Sequence, residues 1–348
     1  MDIMKLLPTG KDYLWGGTRL RDEFGKDLEM TPLAETWECS THPDGLSIVL
    51  NGACSGKTLS RVLKEHPEYL GTKMEQKGSL SGEIPSREMQ SASTETPGAQ
   101  RDDDENVLPV IVKFIDADKD LSVQVHPDDA FAREYEHDNG KSEMWYVVDA
   151  REGTSLIYGF AHPVSEGILR DALAENSLDK HLQKVRVHKD DVFYVPAGTV
   201  HGIGAGALIV EVQESSDVTY RLYDYNRIDK NGRKRELHFE KAIRVMDMQV
   251  APDVKQLPRM VHYYPGSSRE ILCRCKYFQT ERIRVKRECS FSVLGTSFQI
   301  LLCINGSGTI SSETGAEVSY SKGECIFLPA GLGRCHVAGE SELLKVRC

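Results

Sequence analysis

Residues 189–198 have the sequence KDDVFYVPAG, and residues 322–331 have the sequence KGECIFLPAG. Each segment combines a polar turn, four apolar residues and a Pro-Ala-Gly turn, which predicts a short buried strand between two chain reversals. Because the pattern occurs twice, the sequence predicts two related β-rich halves. The copies differ at one place: His201 follows the first turn by three residues, whereas Arg334 stands at the equivalent place after the second. We therefore expect the chemistry to lie in the first half.

Short apolar runs separated by Gly, Pro and Asp residues recur along the rest of the chain. Many short strands with turns between them are typical of antiparallel β-sandwiches and jelly-roll barrels. The runs lie at residues 107–115, 121–126, 144–148, 185–188, 192–195, 208–213, 298–304, 308–312 and 325–328. Helical spacing of apolar residues predicts a helix over residues 59–70, with Thr58 or Ser60 as its N-cap, and a second helix within residues 163–182.

The composition is that of a globular protein of about two domains, with 348 residues, 40% of them hydrophobic and 28% charged. The formal net charge of -10 predicts no general attraction to nucleic acid or to an anionic membrane. A phosphorylated ligand would therefore need a local basic pocket. Nine cysteines, an odd number without a CxxC pair, favour reduced thiols over a disulfide scaffold.

Neither a membrane span nor an export signal is predicted. The longest apolar run, at residues 107–112, is far shorter than the roughly 20 residues that cross a bilayer. The start of the chain has no apolar core of signal-peptide length, so we expect a cytoplasmic protein. Residues 71–106 contain no aromatic residue and close with an acidic run. Their composition predicts a disordered surface insertion, because it offers too little apolar area to bury.

Residues 121–126 alternate between apolar and polar side chains, and the polar ones include Gln124 and His126. A barrel interior lined by such groups needs polar partners or a metal ion. Glu143 begins a neighbouring predicted strand, and His201 begins a third after the Pro-Ala-Gly turn. Two imidazoles, a carboxylate and an amide oxygen suit zinc, iron, manganese or nickel, with open positions for water or substrate. A single buried histidine is more often an ordinary core residue, so the prediction depends on the joint occurrence of the four.

Four segments carry a resemblance to one enzyme family. They are LSVQVHPD at 121–128, KSEMW at 141–145, VPAGTVHGIG at 195–204 and YRLYDYNR at 220–227. These segments resemble the signature sequences of type I mannose-6-phosphate isomerases (phosphomannose isomerases), in particular the short bacterial branch in the cupin superfamily. The segments WGG, AETWE and KFIDA, which begin at residues 15, 34 and 113, extend the resemblance to residues 1–70 and 107–348.

The resemblance implies a mainly β fold with two cupin-type jelly-roll β-barrels and a few added helices. Residues 1–70 would be the N-terminal part of the catalytic region, and residues 107–245 the metal-binding catalytic barrel, with the helical insert near 163–182. Residues 246–348 would form a second barrel without metal ligands.

The resemblance also implies a zinc-dependent aldose-ketose isomerase that interconverts D-mannose 6-phosphate and D-fructose 6-phosphate through an enediol. The family's metal ligands fall on Gln124, His126, Glu143 and His201, which would hold one Zn²⁺ per chain, and its active-site arginine falls on Arg221. The implied partner is a small phosphosugar, with no nucleic acid or membrane partner, and the implied state is a monomer or weak homodimer.

The proton-transferring group stays open among Lys113, Lys141, Glu211 and a metal-bound water. Lys113 lies in an apolar run, where an inward ammonium would need an anion and an outward one would be solvated. Lys141, in a polar loop, could be a plain surface lysine. The alternative for Arg221 without a catalytic role is an ion pair with Asp217 on a sheet face. The catalytic candidates are therefore Arg221, Lys113 and Lys141.

Two other functions fit the same ligand set. One is a phosphosugar-binding regulatory cupin without turnover, and the other is a metal-dependent cupin oxygenase. An oxygenase would consume oxygen and have an apolar substrate pocket, whereas an isomerase would use redox-inert zinc and a basic pocket. A sensor would be expected to lack a metal ligand or the arginine, and this sequence keeps both.

Overall fold

The computed structural model describes residues 1–74, 107–228, 232–254, 256 and 258–348. Its fold is mainly β with a few helices, and its sheets fit the jelly-roll arrangement, so the predicted fold class is confirmed. All pairings between its named strands are antiparallel. Among the described residues, no helix has the length and apolar character that crossing a membrane requires.

The strands and helices of the described residues are numbered separately in chain order. The strands are β1 (Met4–Leu7), β2 (Thr9–Lys11), β3 (Glu35–Cys39), β4 (Ile48–Val49), β5 (Val110–Asp116), β6 (Val123–Val125), β7 (Glu143–Ala150), β8 (Ser155–Phe160), β9 (Leu182–Arg186), β10 (Val192–Val195), β11 (His201–Ile203), β12 (Ala207–Glu214), β13 (Tyr220–Tyr223), β14 (Val261–Tyr264), β15 (Ser267–Arg274), β16 (Gln279–Val285), β17 (Glu288–Val293), β18 (Gln299–Ser312), β19 (Glu317–Ser321), β20 (Cys325–Leu328) and β21 (Gly333–Arg347). The helices are α1 (Arg19–Phe24), α2 (Leu59–Glu65), α3 (Asp129–Tyr135), α4 (Glu166–Ala174) and α5 (Phe239–Val245), and short 3-10 turns lie at Gly52–Cys54, Pro67–Leu70 and Leu178–Lys180.

Two sheets form the first half of the molecule. A six-stranded sheet has the order β10-β7-β12-β5-β3-β2, and a five-stranded sheet has the order β13-β6-β11-β8-β9. Apolar side chains from both sheets pack together between them, such as Trp145 and Phe193 from the first and Leu156 and Ile203 from the second. The helices α4 and α5 contribute Leu169 and other side chains to a cluster that covers the outer face of the five-stranded sheet. The space between the two sheets is therefore the interior of this half.

The second half is built on a ten-stranded sheet with the order β14-β15-β16-β21-β18-β20-β1-β4, to which β17 and β19 are also paired. Its long strands β18 and β21 pair with each other along most of their length. The interior of the second half is filled by apolar side chains, including Ile283, Phe291, Leu301 and Val337.

The N-terminal segment contributes to both halves. β1 pairs with β20 of the second half, whereas β2 and β3 belong to the six-stranded sheet. The chain changes sheets at Pro8, which has no amide hydrogen for a sheet ladder. The first strand of this segment and β4 thus complete the second half's sheet, and the assignment of residues 1–70 to the catalytic region stays a prediction. A shared apolar core, with Phe114 and Tyr146 from one half and Phe298 and Phe327 from the other, packs the halves together.

The predicted helix over residues 59–70 begins as expected but is shorter. Thr58 caps α2 by accepting a hydrogen bond from the Arg61 amide at 3.3 Å. The helix ends at Glu65 because Pro67 lacks the amide hydrogen that a continuing helix needs, and a 3-10 turn follows. The second prediction, a helix within residues 163–182, is confirmed by α4, whose N-cap is Ser165.

Residues 71–106 lie mostly outside the described part of the chain, which ends at Met74 and resumes at Val107. The first residues of the predicted insertion pack against the second half. The amides of Thr72 and Lys73 donate hydrogen bonds to the carbonyls of Gly295 and Thr296, both at 3.1 Å. The rest of the predicted insertion, residues 75–106, lies outside the described residues, so its boundary stays a prediction.

Candidate metal and substrate site

The alternation in residues 121–126 directs polar side chains between the two sheets, although the strand itself covers only Val123–Val125. Val123 and Val125 face away from the interior and pack in the cluster beneath α4 and α5. Gln124 therefore faces the space between the sheets, directly opposite His201 on the neighbouring strand β11. Pairing of β6 with β11 thus brings two predicted metal ligands together.

The Pro-Ala-Gly turn positions the ligands at the end of β6 and the start of β11. Gly198 adopts a φ of 89°, a left-handed conformation that glycine allows without steric cost. Its amide donates a hydrogen bond of 2.9 Å to the carbonyl of His126. This contact connects the residue after β6 to the turn that leads into His201.

His126, Glu143 and His201 form one buried cluster with metal-ligand geometry. One ligand atom from each residue lies within 4.8 Å of the others, and this is the sole cluster of three or more such residues found in the described ranges. The Nε2 atom of His126 lies 3.1 Å from Oε1 of Glu143. Both atoms are buried, and neither has a hydrogen-bond partner among the described residues. Buried polar atoms without partners are costly, and a cation between them would remove that cost.

Hydrogen bonds at the far side of each imidazole fix its orientation. The Nδ1 atoms of His126 and His201 lie 2.8 Å from the carbonyls of Val218 and Thr199, respectively. Since a carbonyl can only accept, Nδ1 donates in both rings, and Nε2 is the ring nitrogen that faces the cluster. Burial, reinforced by the nearby Lys141, lowers the pKa of His126 well below its usual value. A neutral imidazole is the form that binds a metal.

Gln124 lies beside this cluster, with its amide Nε2 3.4 Å from Nε2 of His201. Its Oε1 accepts a hydrogen bond from Ser122 at 3.3 Å. Rotating the amide group by 180° would direct its oxygen at the cluster. The two orientations differ only in which hydrogen bonds the amide oxygen and nitrogen make. The structure thus places all four predicted ligands in one location.

A cavity of about 300 Å³ lies between the two sheets, and Glu143 and His201 of this cluster line it, whereas His126 is not among its lining residues. Its walls are unusually rich in charge and include four cationic side chains, Lys113, Lys141, Arg221 and Arg235. The cavity is also lined by Tyr13, Trp15, Glu35, Ile115, Leu121, Ser122, Gln124, Glu143, Trp145, His201, Ile203, Glu211, Asp217 and Thr219. The cavity therefore holds the cations that a phosphorylated ligand would need, although four carboxylates, Glu35, Glu143, Glu211 and Asp217, line it as well.

The three predicted catalytic side chains all reach this cavity. Lys113 faces inward: its Nζ lies 3.7 Å from Oε2 of Glu211, 3.9 Å from Oε2 of Glu35 and 4.3 Å from the centre of the Trp37 ring. Lys141 is only 5% exposed, and its Nζ lies 3.5 Å from Oε1 of Glu143. The outward position for Lys113 and the surface position for Lys141 are therefore wrong.

Arg221 is held by backbone groups. Its Nη1 donates to the carbonyl of Glu236 at 2.8 Å, and no ion pair joins it to Asp217, although the structure describes both residues. The alternative of an Arg221–Asp217 ion pair is therefore wrong. Arg221 lies opposite Gln124 in the pairing of β13 with β6, so its side chain reaches the cavity beside the metal cluster. Burial, followed by repulsion from the Arg235 guanidinium, lowers its pKa.

Comparison with known proteins relates this geometry to a family. The model of the phosphomannose isomerase type I catalytic domain matches residues 3–85 and 76–157, and that of the mannose-6-phosphate isomerase cupin domain matches residues 269–348. The mannose-6-phosphate isomerase ManA of Bacillus subtilis is 34% identical over 97% of this chain and 96% of its own length. The chain belongs to the type I mannose-6-phosphate isomerase family.

Solved structures agree with this membership. The crystal structure of a mannose 6-phosphate isomerase from Bacillus subtilis superposes with a TM-score of 0.83 at 31% identity and covers 99% of both chains. The mannose-6-phosphate isomerase of Streptococcus mutans is 41% identical over 67% of this chain and 64% of its own length. A phosphomannose isomerase from Salmonella typhimurium, with a TM-score of 0.71 at 16% identity, shares the fold. The family resemblance inferred from the short motifs is therefore confirmed.

Carboxylates balance the cations of the cavity. Trp145 donates its indole hydrogen to Glu211 at 2.8 Å and to Glu143 at 3.1 Å. Burial raises the pKa of Glu211 to about 7, and the Glu143 carboxylate adds to the increase. Burial alone would lower the pKa of Lys141, but the carboxylates of Glu143 and Glu211 outweigh it and raise that pKa. A raised pKa of this kind is a property that a proton-transferring carboxylate needs.

Sequence reasoning missed two charged groups that line the cavity. Glu35 lies in the segment AETWE, which carried the family resemblance without a role for this carboxylate. Arg235 lies in the loop before α5, where no strand alternation indicates which side chains face inward. The regular spacing of strand residues found Gln124, but no comparable signal exists for a loop residue.

Proposed function

We propose that this chain interconverts D-mannose 6-phosphate and D-fructose 6-phosphate, with one zinc ion held by Gln124, His126, Glu143 and His201. The observation that carries the proposal is the buried cluster of two imidazoles and a carboxylate, in which Nε2 of His126 and Oε1 of Glu143 lack a hydrogen-bond partner among the described residues. Two of its members line a cavity that also has four cationic side chains. Relatives along nearly the whole chain are named mannose-6-phosphate isomerases.

The donor set fits zinc. Two imidazole nitrogens, a carboxylate oxygen and an amide oxygen match the nitrogen and oxygen ligands of catalytic zinc sites, and zinc has no redox chemistry of its own. When bound, zinc would act as a Lewis acid that stabilises negative charge on the sugar oxygens. The many charged side chains of the cavity favour a polar substrate over the apolar substrate expected of a cupin oxygenase.

The reaction moves one proton between C1 and C2 of the sugar and another between the two oxygens, through an enediol. The chain supplies a fixed cation beside the developing negative charge, because Arg221 lies opposite Gln124 next to the metal cluster. Preorganised charges of this kind act without the reorganisation that water would need. Trp15, Trp145 and Ile203 line the cavity with apolar surface that displaces water from the reacting atoms.

Three side chains of the chain are placed to transfer the carbon-bound proton. Lys141 contacts the ligand Glu143, and Lys113 forms an ion pair with Glu211, so the three candidates adjoin one another and the metal cluster. Their close coupling means that removing one changes the protonation of the others. Replacing each in turn and following exchange of the C2 hydrogen with deuterated water would identify the base, because only its loss should abolish exchange while substrate still binds.

The decisive experiment is a coupled assay for fructose 6-phosphate formed from mannose 6-phosphate. Activity should disappear when the metal is removed by a chelator and return on addition of stoichiometric zinc. Oxygen uptake under the same conditions should stay at background. No turnover by the zinc-loaded protein would support a regulatory phosphosugar-binding protein instead, and substrate-dependent oxygen uptake would support an oxygenase.

We also propose the coarser organisation that accompanies this function. Residues 107–245 would carry the catalytic barrel and residues 246–348 the second barrel, in a cytoplasmic enzyme that is a monomer or weak homodimer. Its partner would be a phosphosugar, with no nucleic acid or membrane partner. Sedimentation at several protein concentrations tests the oligomeric state, since a weak dimer dissociates on dilution.

A further inference from the structure

One buried carboxylate near the cavity orients two arginines. Asp224 is 5% exposed and follows strand β13. Its Oδ2 accepts from Nε of Arg235 at 2.8 Å, and its Oδ1 accepts from Nη2 of the same residue, which makes a two-pronged contact. Nη2 of Arg227 also donates to Oδ1. A guanidinium held at two points has a fixed direction, so Asp224 determines where Arg235 can present its charge.

The two arginines differ in what they reach. Arg235 lines the cavity. Arg227 is not one of the described residues that line it, and its side chain donates a hydrogen bond to the carbonyl of Asp120. Asp224 itself does not line the cavity in the described ranges. The same carboxylate therefore holds one cation at the substrate cavity and one away from it.

Arg235 differs from the two cavity lysines in how its charge is balanced. Lys113 and Lys141 contact Glu211, Glu35 and Glu143, which themselves line the cavity, so these pairs present little net charge to a ligand. Asp224, the carboxylate that holds Arg235, is not among the described residues that line the cavity. The side chain of Arg235 is 29% exposed, against 3% for Lys113, so it lies toward the open end of the cavity.

Arg221 and Arg235 also act on each other. Repulsion from Arg235 contributes to the lowered pKa of Arg221, which means that the two guanidinium groups share one region. Like charges held together favour a bound anion, because the anion removes their repulsion. Arg221 is beside the metal cluster, so an anion bound by the partly exposed Arg235 leaves Arg221 free to face the reacting atoms.

We propose that Arg235, oriented by Asp224, binds the 6-phosphate of the substrate and makes the site selective for phosphorylated sugars. The identity of the sugar rests on the proposed function. The phosphate site itself does not. The phosphate sits on C6, at the opposite end of the carbon chain from C1 and C2. A cation near the opening and a metal cluster in the interior match those two ends. Arg235 would be a binding residue and Asp224 a positioning residue.

The first test measures binding of inorganic phosphate to the zinc-loaded protein by calorimetry, with no turnover involved. Arg235→Gln should weaken binding about 10- to 100-fold, as expected for the loss of charge-assisted hydrogen bonds. Arg227→Gln is the matched control, because it removes the other arginine on the same carboxylate and should leave the affinity within about twofold. Equal phosphate affinity in wild type and Arg235→Gln would overturn the proposal, as would an equal loss in both variants.

The second test separates binding from chemistry. For mannose 6-phosphate, Arg235→Gln should raise KM about 10- to 100-fold and change kcat much less, while any turnover of unphosphorylated mannose keeps its rate. Asp224→Asn should raise KM in the same direction, and Arg235→Lys should recover part of the affinity. Unchanged zinc content and melting temperature in Arg235→Gln and Arg235→Lys would exclude misfolding. A uniform loss with both sugars would overturn the proposal.

The two tests also separate this inference from the proposed function. Wild-type protein that binds phosphate through Arg235 but does not isomerise mannose 6-phosphate would contradict the proposed function and support the phosphate site. If wild-type protein isomerises the sugar and Arg235→Gln leaves both KM and phosphate affinity unchanged, the proposed function would be supported and the phosphate site contradicted.

Discussion

The two Pro-Ala-Gly turns have the same backbone and different chemical surroundings. Gly198 and Gly331 are both left-handed, with φ values of 89° and 80°. Three residues later, His201 is buried in the metal cluster, whereas Arg334 is exposed to solvent. The turn is therefore a feature of the fold in both halves, and in the first half the residue that follows it joins two other potential metal ligands.

The interiors of the halves differ in the same way. Between the sheets of the first half lie Lys113, Lys141, Glu143 and Glu211, all buried. The corresponding space in the second half is filled by apolar side chains and buried cysteines. Buried charges are costly unless they are paired, whereas apolar packing stabilises a fold. The comparison indicates that the first half provides the chemistry and that the second supplies stability through the shared core around Phe114 and Phe327.

The largest expected effect comes from removing the histidine that distinguishes the first half. His201→Ala should lose bound zinc and lower turnover on the order of 1,000-fold or more, since a catalytic metal stabilises transition-state charge by several kcal/mol. Zinc analysis by mass spectrometry and the coupled assay measure both effects. His336→Ala, in the second half, is the control and should keep zinc and activity. Normal zinc content in His201→Ala would reject the ligand assignment.

Arg221→Ala tests whether the charged interior acts on the reaction. Turnover of mannose 6-phosphate should fall about 100-fold or more, which is the usual cost of losing one preorganised charge. Zinc content and the melting curve should stay unchanged, and Arg221→Lys should recover part of the rate. An unchanged kcat would refute the catalytic role. Collapse of the melting transition would make Arg221 structural and leave Lys113 and Lys141 as the cationic candidates.

A matched pair of isoleucines tests the stabilising role of the second half. Ile283 is 0% exposed in its interior, and Ile271 is 41% exposed on the same half. Ile283→Val should lower the free energy of unfolding by about 0.5–1.5 kcal/mol, whereas Ile271→Val should change it by less than about 0.5 kcal/mol. Both variants should keep wild-type kcat at low temperature. Denaturant unfolding provides the measurement, and equal effects of the two substitutions would contradict the packing argument.

The smallest effect is expected from the reciprocal exchange, Arg334→His. No zinc should bind to the second half, because the described residues contain no second cluster of three potential ligands. Stability should change by less than about 0.5 kcal/mol, since the position is exposed. Two zinc ions per chain in this variant would show that the turn residue alone, rather than its surroundings, creates the site.

Much of the metal site could be predicted from local patterns. Alternation along a strand indicated that Gln124 faces the interior, and the repeated turn singled out His201. Strand alternation left Lys113 undecided, because a strand that is buried on both faces gives no contrast between inside and outside. The neighbouring carboxylates Glu35 and Glu211 decided its position, and they come from strands far away in the sequence.

The sequence by itself determined the mainly β fold, the two related halves and the four candidate ligands, because turn chemistry and strand alternation are local properties. The family motifs added Arg221. Only the tertiary structure decided which charges meet: Lys141 with Glu143, Lys113 with Glu211, and Arg235 with Asp224. It also decided that β1 completes the sheet of the second half. Such contacts depend on how sheets and loops distant in the chain come together, and the energies of buried charges are set by the partners they find there.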